Sequence, residues 1–133
     1  MKFFKTIVAF LTVCMLFTFL VACGDGGSSQ SKFEQFENGL VENNIQFEIN
    51  PKAAAMVGAK EGYGYIFSDG TSVELYLFDT STKAYKDSFK TNKLNLESFG
   101  ITFDVIFNGD ICIYFNGEPT EKTVITNIFN DLK

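Results

Sequence analysis

Between residues 101 and 115, apolar and polar side chains alternate in two short runs that flank Asn108-Gly109-Asp110. A period of two places the apolar side chains of a strand on one face, and a glycine-containing break between two such runs is typical of a hairpin. A three-residue loop with Gly109 in the left-handed conformation would put both apolar sets on one face, whereas a two-residue loop would separate them. The sequence therefore predicts a three-residue loop and seven inward side chains: Ile101, Phe103, Val105, Phe107, Ile111, Ile113 and Phe115.

An earlier hairpin is predicted where Asp69-Gly70 separates apolar runs at 62–67 and 71–78. Asp-Gly favours a two-residue type I′ turn, which would pair Gly62 and Gly64 with leucines and leave room for a helix to approach. This register puts Tyr63, Tyr65, Tyr76 and Phe78 on the sheet face away from the core helices, and the predicted register of the second hairpin adds Tyr114 to that face. An odd-length loop would instead turn Tyr63 and Tyr65 inward.

Three segments have the apolar spacing of helices. Ser31 and Glu34 have the spacing of a capping box, and the helix that follows has Phe33, Phe36, Leu40 and Val41 on one face. Residues 80–90, with Thr80 or Ser81 as the cap, and residues 120–132 form the other two predicted helices. Alternation at Ile45, Phe47 and Ile49 adds one strand before the first hairpin.

The order of these elements is helix, strand, hairpin, helix, hairpin, helix. Such an order predicts an α+β fold in which a four- to five-stranded antiparallel sheet is built from two β-hairpins. About three helices are expected to pack mainly on one face of that sheet.

The N-terminal residues have the features of a cleaved leader. Two lysines in Met1–Lys5 precede sixteen mostly apolar residues, Thr6–Val21. As a helix these sixteen would span about 24 Å, which is short of a hydrocarbon core of about 30 Å. The pattern therefore predicts a signal peptide rather than a permanent membrane span.

Leu20-Val21-Ala22-Cys23 resembles the lipobox of bacterial lipoproteins. The resemblance implies cleavage before Cys23 and a lipid on its thiol, which leaves plain secretion or a retained anchor as the alternatives. It divides the chain into a signal peptide (1–22), a lipidated cysteine with a flexible tether (23–30) and one globular domain (31–133). The segments 58–63 and 73–79 also look like parts of small lipoproteins of Gram-positive bacteria, a resemblance that implies no particular activity.

Composition excludes several classes of function. Residues 23–133 contain nine lysines and sixteen acidic residues, a net charge of −7, and the chain has no arginine, histidine or tryptophan. This balance argues against nucleic-acid binding, which needs clustered positive charge. The absence of histidine removes the usual general base and the commonest metal ligand, so no metal or cofactor is predicted. Cys112 is the last thiol left in the domain and is expected to be a partly buried small apolar residue.

The sequence contains no set of residues with the types and spacing of a catalytic site. Its spacing does not bring together any two of the acidic residues considered for acid–base chemistry, which are Glu61, Asp69, Glu74, Asp79, Asp104 and Asp110. These are expected to be solvated or to form turns. The aromatic face is either a binding surface or a face covered by the first helix, a loop or a second copy.

The expectation is therefore a non-enzymatic lipoprotein on the extracytoplasmic face of the cell membrane, held there by the lipid on Cys23. It would bind a protein or peptide partner through the sheet face or an exposed edge strand. An immunity or exclusion lipoprotein is a more specific version of this expectation. The alternative from another class is a cell-envelope hydrolase that uses paired carboxylates. The oligomeric state is left open.

Overall fold

A computed structural model describes residues 30–133, so the predicted leader, Cys23 and most of the tether lie outside the described residues. In this part of the chain the helices are α1 (Lys32–Glu42), α2 (Lys83–Thr91) and α3 (Lys122–Asn130), with short 3-10 turns at Ala54–Val57 and Glu97–Phe99. The strands are β1 (Phe47–Pro51), β2 (Glu61–Phe67), β3 (Ser72–Leu77), β4 (Lys93–Leu96), β5 (Ile101–Asp104), β6 (Ile106–Asn108) and β7 (Ile111–Asn116).

Five of the strands form one antiparallel sheet in the order β1-β2-β3-β7-β6, and β4 pairs with β5 in a second, two-stranded sheet. The β2–β3 and β6–β7 hairpins supply four strands of the larger sheet. The predicted α+β fold is therefore confirmed. Within residues 30–133, no helix combines the length and the apolar character that crossing a bilayer requires.

Helix α1 begins as its sequence predicts. The Ser31 hydroxyl accepts a hydrogen bond from the Glu34 N–H at 3.1 Å, and Asn43 caps the other end. Phe33, Phe36 and Leu40 are buried, but Val41 is 64% exposed, so its predicted place on the inner face is wrong. One residue advances a helix by about 100°, which carries position 41 beyond the edge of the buried stripe.

The first hairpin does not have the predicted register. The Phe67 N–H donates to the Thr71 carbonyl at 2.9 Å, which leaves a three-residue loop that ends at Gly70 with φ +86°. Tyr65 consequently pairs with Val73. The two-residue turn is wrong because the longer loop places the apolar residues of both strands on one face, where α1 and α3 cover them.

The second hairpin also differs from its prediction, because its loop is one residue shorter than expected, whereas the loop of the first hairpin is one residue longer. Asn108 pairs with Ile111, so the loop has two residues, and Gly109 has the expected positive φ of 62°. Phe107 lies opposite Cys112 and faces away from the side occupied by Ile111. The predicted strand 101–107 is also interrupted, because the Val105 N–H donates to the Asn92 carbonyl and the chain passes from β5 to β6 there.

Both faces of the large sheet are covered. The prediction for the second hairpin assumed that only one face is buried, and its register was wrong for that reason. On one face, α1 and α3 enclose a core of Phe33, Phe36, Leu40, Tyr65, Phe67, Val73, Leu75, Ile111, Ile113, Ile125, Phe129 and Leu132. On the other face, the first 3-10 turn, α2 and the β4–β5 pair enclose Ala54, Val57, Ala59, Tyr76, Phe78, Leu94, Val105 and Cys112.

Helix α2 is shorter than predicted. It begins after Thr82, whose hydroxyl accepts from the Tyr85 N–H at 3.2 Å, so neither Thr80 nor Ser81 is the cap. Asp79 instead accepts from the Ser81 N–H and hydroxyl, which holds the preceding residues in a turn. Phe89 is half exposed although its ring packs 5.4 Å from that of Phe107.

Candidate functional site

The predicted aromatic face is not formed, because its members lie on opposite sides of the sheet. Tyr63 and Tyr65 face α1, where their ring centroids lie 4.9 Å from Phe33 and 5.1 Å from Phe36, respectively. Tyr65 is fully buried and its hydroxyl donates to Glu37 at 3.0 Å. Burial, followed by the neighbouring Glu37 charge, raises the pKa of Tyr65 far above its ordinary value.

The remaining three aromatic residues lie on the other face and are largely covered. Tyr76 and Phe78 are buried, and Tyr114 packs edge-on against Phe103 with ring centroids 4.9 Å apart. The Tyr76 hydroxyl donates to Glu74 at 3.0 Å, and burial raises the pKa of Tyr76. The five side chains therefore contribute to two cores, and the prediction that they share one exposed surface is wrong.

Gly62 and Gly64 of β2 make room for neighbouring side chains and not for a helix. Gly62 lies opposite Tyr76, and a Cβ atom at position 62 would lie 2.6 Å from the Tyr76 ring. Gly64 leaves room for the Lys52 side chain to cross β2, so that its Nζ reaches Glu74 at 2.9 Å. The predicted pairing of these glycines with leucines is therefore wrong, because the register differs by one residue.

The six carboxylates that were considered for catalysis each contact a lysine or a hydroxyl group. Lysines contact three of them, as Lys32 with Asp110, Lys52 with Glu74 and Lys93 with Asp104. Hydroxyl groups contact the others, as Tyr63 with Glu61, Thr71 with Asp69 and Ser81 with Asp79. Among residues 30–133 there is no group of three His, Cys, Asp or Glu residues that could hold a metal ion.

Asp69 connects two parts of the chain. Its Oδ1 accepts from the Thr71 N–H at 2.9 Å and from the Thr71 hydroxyl, and its Oδ2 accepts from the Thr120 N–H at 3.0 Å. The hydrogen bond from the Thr71 hydroxyl is the largest of the causes that lower the pKa of Asp69 to about 2. The contact attaches the β2–β3 loop to the chain that precedes α3.

Cys112 is fully buried on β7, more completely than the partly buried position that its sequence context predicts. Burial raises the pKa of its thiol to about 12, so the nucleophilic thiolate is disfavoured at neutral pH.

An open cleft at one end of the sheet was not predicted from the sequence. It has a volume of about 750 Å³ and lies where the chain leaves α1 and enters β1. Asn44, with φ 57°, makes this turn, and the Ile45 N–H donates to the Leu40 carbonyl at 2.9 Å. The cleft is lined by Val41, Asn44, Ile45, Gln46, Phe47, Glu48, Ile66, Phe67 and Ser68.

Exposed apolar groups distinguish this cleft. Val41 is 64% exposed and Ile66 is 40% exposed, and the half-buried Ile45 and Phe47 lie beside them. A sequence signal for this region existed in Pro51, because proline within a sheet is typical of an edge strand.

A second cleft of about 330 Å³ adjoins the first and shares five of its residues, from Asn44 to Ser68. It continues to Asp69, Thr120 and Glu121. Of residues 30–133, those that line the two clefts include three acidic side chains, Glu48, Asp69 and Glu121, and no lysine. The two clefts are therefore lined by both apolar and acidic side chains.

Comparison of the chain with known protein families, curated proteins and solved structures finds no match.

Proposed function

We propose that this protein is a lipid-anchored binding module on the extracytoplasmic face of the cell membrane. Its site is the cleft beside β1, and its ligand is a segment of a protein or peptide partner. The observation that carries the proposal is the group of exposed apolar side chains at this cleft, with Val41 and Ile66 at its surface.

The anchoring part of the proposal rests on the leader. A basic start, a short apolar run and Leu20-Val21-Ala22-Cys23 together resemble a lipoprotein signal peptide. Two or more acyl chains hold a protein stably on a bilayer, whereas a single chain holds it only marginally.

The binding part rests on what the fold leaves accessible. Helices and loops cover both faces of the large sheet, so an aromatic sheet face is not available to a partner. The cleft beside β1 combines open apolar surface with an edge strand, and such surfaces are typical of sites that receive another chain.

Mass spectrometry of the protein from membranes tests the anchor. We expect an N-terminus at residue 23 that carries a diacylglyceryl group, and we expect Cys23→Ala to leave an uncleaved chain without lipid. An unmodified thiol at position 23 in the wild-type protein would overturn the anchoring part.

Site-specific crosslinking in intact cells tests the binding part. A photoreactive amino acid replaces Val41 in one variant and Phe99 in a control, because these side chains are 64% and 65% exposed. We expect a discrete crosslinked product from position 41 and a much weaker one from position 99, which is not among the residues that line the two clefts. Equal yields from both positions, or no product from either, would overturn the assignment of the cleft.

A further inference from the structure

We propose that β1 accepts an extended segment of the partner as a sixth strand of the sheet, and that apolar and basic side chains alternate in this segment. The inference rests on the proposed function, because it names how the cleft beside β1 would hold its ligand.

The first argument is that, among residues 30–133, no strand pairs with the outer edge of β1. The Lys52 N–H donates to the Gly62 carbonyl at 3.1 Å, which sets the alternation of the β1–β2 ladder. In an antiparallel pair every second residue bonds to its neighbour, so Glu48 and Asn50 bond toward β2. The N–H and C=O groups of Phe47 and Ile49 therefore point away from the sheet.

The opposite edge of the sheet is less suitable for another strand. Strand β6 has three residues, and its central residue Phe107 packs against Tyr85 and Phe89 of α2. Strand β1 has five residues, of which the last four are exposed. Within the strand itself, the features that discourage pairing are the charge of Glu48 and the missing N–H of Pro51. Of the two outer strands of the five-stranded sheet, β1 is the one open to pairing.

The second argument concerns the side chains that a sixth strand would meet. Phe47 and Ile49 lie opposite Phe67 and Tyr65 and therefore share the face of the sheet that α1 covers. Glu48 lies opposite Ile66 and shares the other face. Directly opposed side chains on neighbouring strands contact each other. A strand added to β1 is thus favoured when apolar residues face Phe47 and Ile49 and a basic residue faces Glu48.

The third argument is charge. Of the described residues, Glu48, Asp69 and Glu121 line the two clefts and no lysine does, while Lys52, which follows β1, is already paired with Glu74 at 2.9 Å. Residues 31–133 contain fifteen acidic and nine basic side chains, so a second copy would bring a net charge of −6 to this acidic surface. Charge complementarity favours a basic segment over a second copy.

Binding of synthetic peptides to the full chain, purified in detergent, tests the inference. The probe is a fluorescent peptide of about nine residues in which lysine and isoleucine alternate, and its binding is followed by fluorescence anisotropy. A peptide with glutamate in place of lysine and a peptide of shuffled order are the controls. We expect saturable binding of the alternating lysine peptide that weakens as salt is added, and at least about tenfold weaker binding of both controls.

Backbone methylation separates strand addition from simple charge attraction. Two further probes carry N-methyl groups on alternate residues, one on the lysines and the other on the isoleucines. Only the residues that bond to β1 need their N–H groups, so we expect one methylated probe to lose binding and the other to retain it. Equal affinity of the two methylated probes would overturn strand addition, and equal binding of the glutamate control would overturn the charge argument.

A protein variant gives an independent test. Ile49→Pro removes an N–H that points away from β2, whereas Ile49→Val keeps that group and the apolar character. We expect Ile49→Pro to weaken peptide binding by at least about tenfold with an unchanged circular dichroism spectrum, and Ile49→Val to bind like the wild type. Wild-type affinity of Ile49→Pro would overturn the proposed edge.

The outcomes separate this inference from the proposed function. If no probe binds at concentrations up to about 1 mM while crosslinking from position 41 still captures a partner, strand addition of this segment is wrong and the binding module stands. If sedimentation shows a dimer that Ile49→Pro dissociates, β1 pairs with a second copy and the inference is overturned. If both crosslinking and peptide binding fail, both proposals fail.

Discussion

Gly62 lies directly opposite Tyr76 in the β2–β3 pair, and the Tyr76 ring fills the space that a side chain at position 62 would need. The same strand contains Gly64, where the space is filled by the far end of the flexible Lys52 side chain. The same substitution, glycine to alanine, would therefore meet a rigid neighbour, Tyr76, at position 62 and a flexible one, Lys52, at position 64.

We expect Gly62→Ala to destabilise the fold by about 1–3 kcal/mol, because the added Cβ atom lies 2.6 Å from a buried ring that has little room to move. Gly64→Ala should cost less than about 1 kcal/mol, since Lys52 can withdraw and a partly exposed ion pair contributes little. Urea unfolding followed by circular dichroism compares them. Equal losses of unfolding free energy would contradict this account of Gly62.

Tyr65→Phe removes a hydroxyl that donates to Glu37 at 3.0 Å from a fully buried residue. We expect a loss of about 1 kcal/mol in unfolding free energy, the usual contribution of one hydrogen bond. Tyr63→Phe is the matched control, because the Tyr63 hydroxyl is exposed and lies 3.3 Å from Glu61. A Tyr63→Phe variant that loses as much stability as Tyr65→Phe would argue against the assigned role of the buried bond.

Asp69→Ala should lower the melting temperature at pH 7, because it releases the loop of the first hairpin from Thr120. Asp79→Ala is a matched control, since Asp79 makes a similar turn with Ser81. We expect the larger decrease for Asp69→Ala, and thermal unfolding measured by circular dichroism decides between them.

The effect of Asp69 should also depend on pH in a stated direction. Its pKa is lowered from 3.8 to about 2, so the ionised form is favoured by folding. The stabilisation is complete above pH 3.8 and is lost as the pH falls toward 2. The difference in melting temperature between wild type and Asp69→Ala should therefore shrink between pH 4 and pH 2. A constant difference would contradict the assigned pKa.

Cys112 should resist thiol reagents at pH 8 and react only as fast as the domain opens, because the side chain is fully buried. Peptide mapping after modification reports on this residue separately from the other cysteines. Rapid labelling of the folded protein would contradict the buried position.

Alkaline pH should weaken the fold through the same thiol. Burial raises the pKa of Cys112 from 9.0 to about 12, so the folded state favours the neutral form. The contribution of the neutral thiol to the free energy of unfolding is complete below pH 9 and declines as the pH rises from 9 toward 12. Urea midpoints across this range, compared with those of Cys112→Ala, measure the contribution. A midpoint difference that does not change with pH would contradict it.

The sequence alone determined where the three helices and most strands of the large sheet form, although it did not separate β5 from β6. Ser31 with the apolar spacing of α1, the alternation on either side of Gly109, and the apolar stripe of α3 each depend on contacts within a few residues. Local hydrogen bonds and side-chain periodicity act at that range, so these elements and the antiparallel sheet could be predicted. The placement of Cys23 in a lipobox is likewise a local pattern, and it stays a prediction.

Tertiary structure decided the two registers, and with them the candidate site. Asp69-Gly70 was expected in a two-residue loop and lies in a three-residue loop, while Gly109 was expected in a three-residue loop and lies in a two-residue loop. One residue of loop length turns every side chain of a strand to the other face, and the same turn residues fit either length. The choice was made by burial on both faces of β3 and β7, which requires helices and strands distant in sequence to come together. The cleft beside β1 has the same origin, because it exists only where the end of α1 meets the turn of the first hairpin.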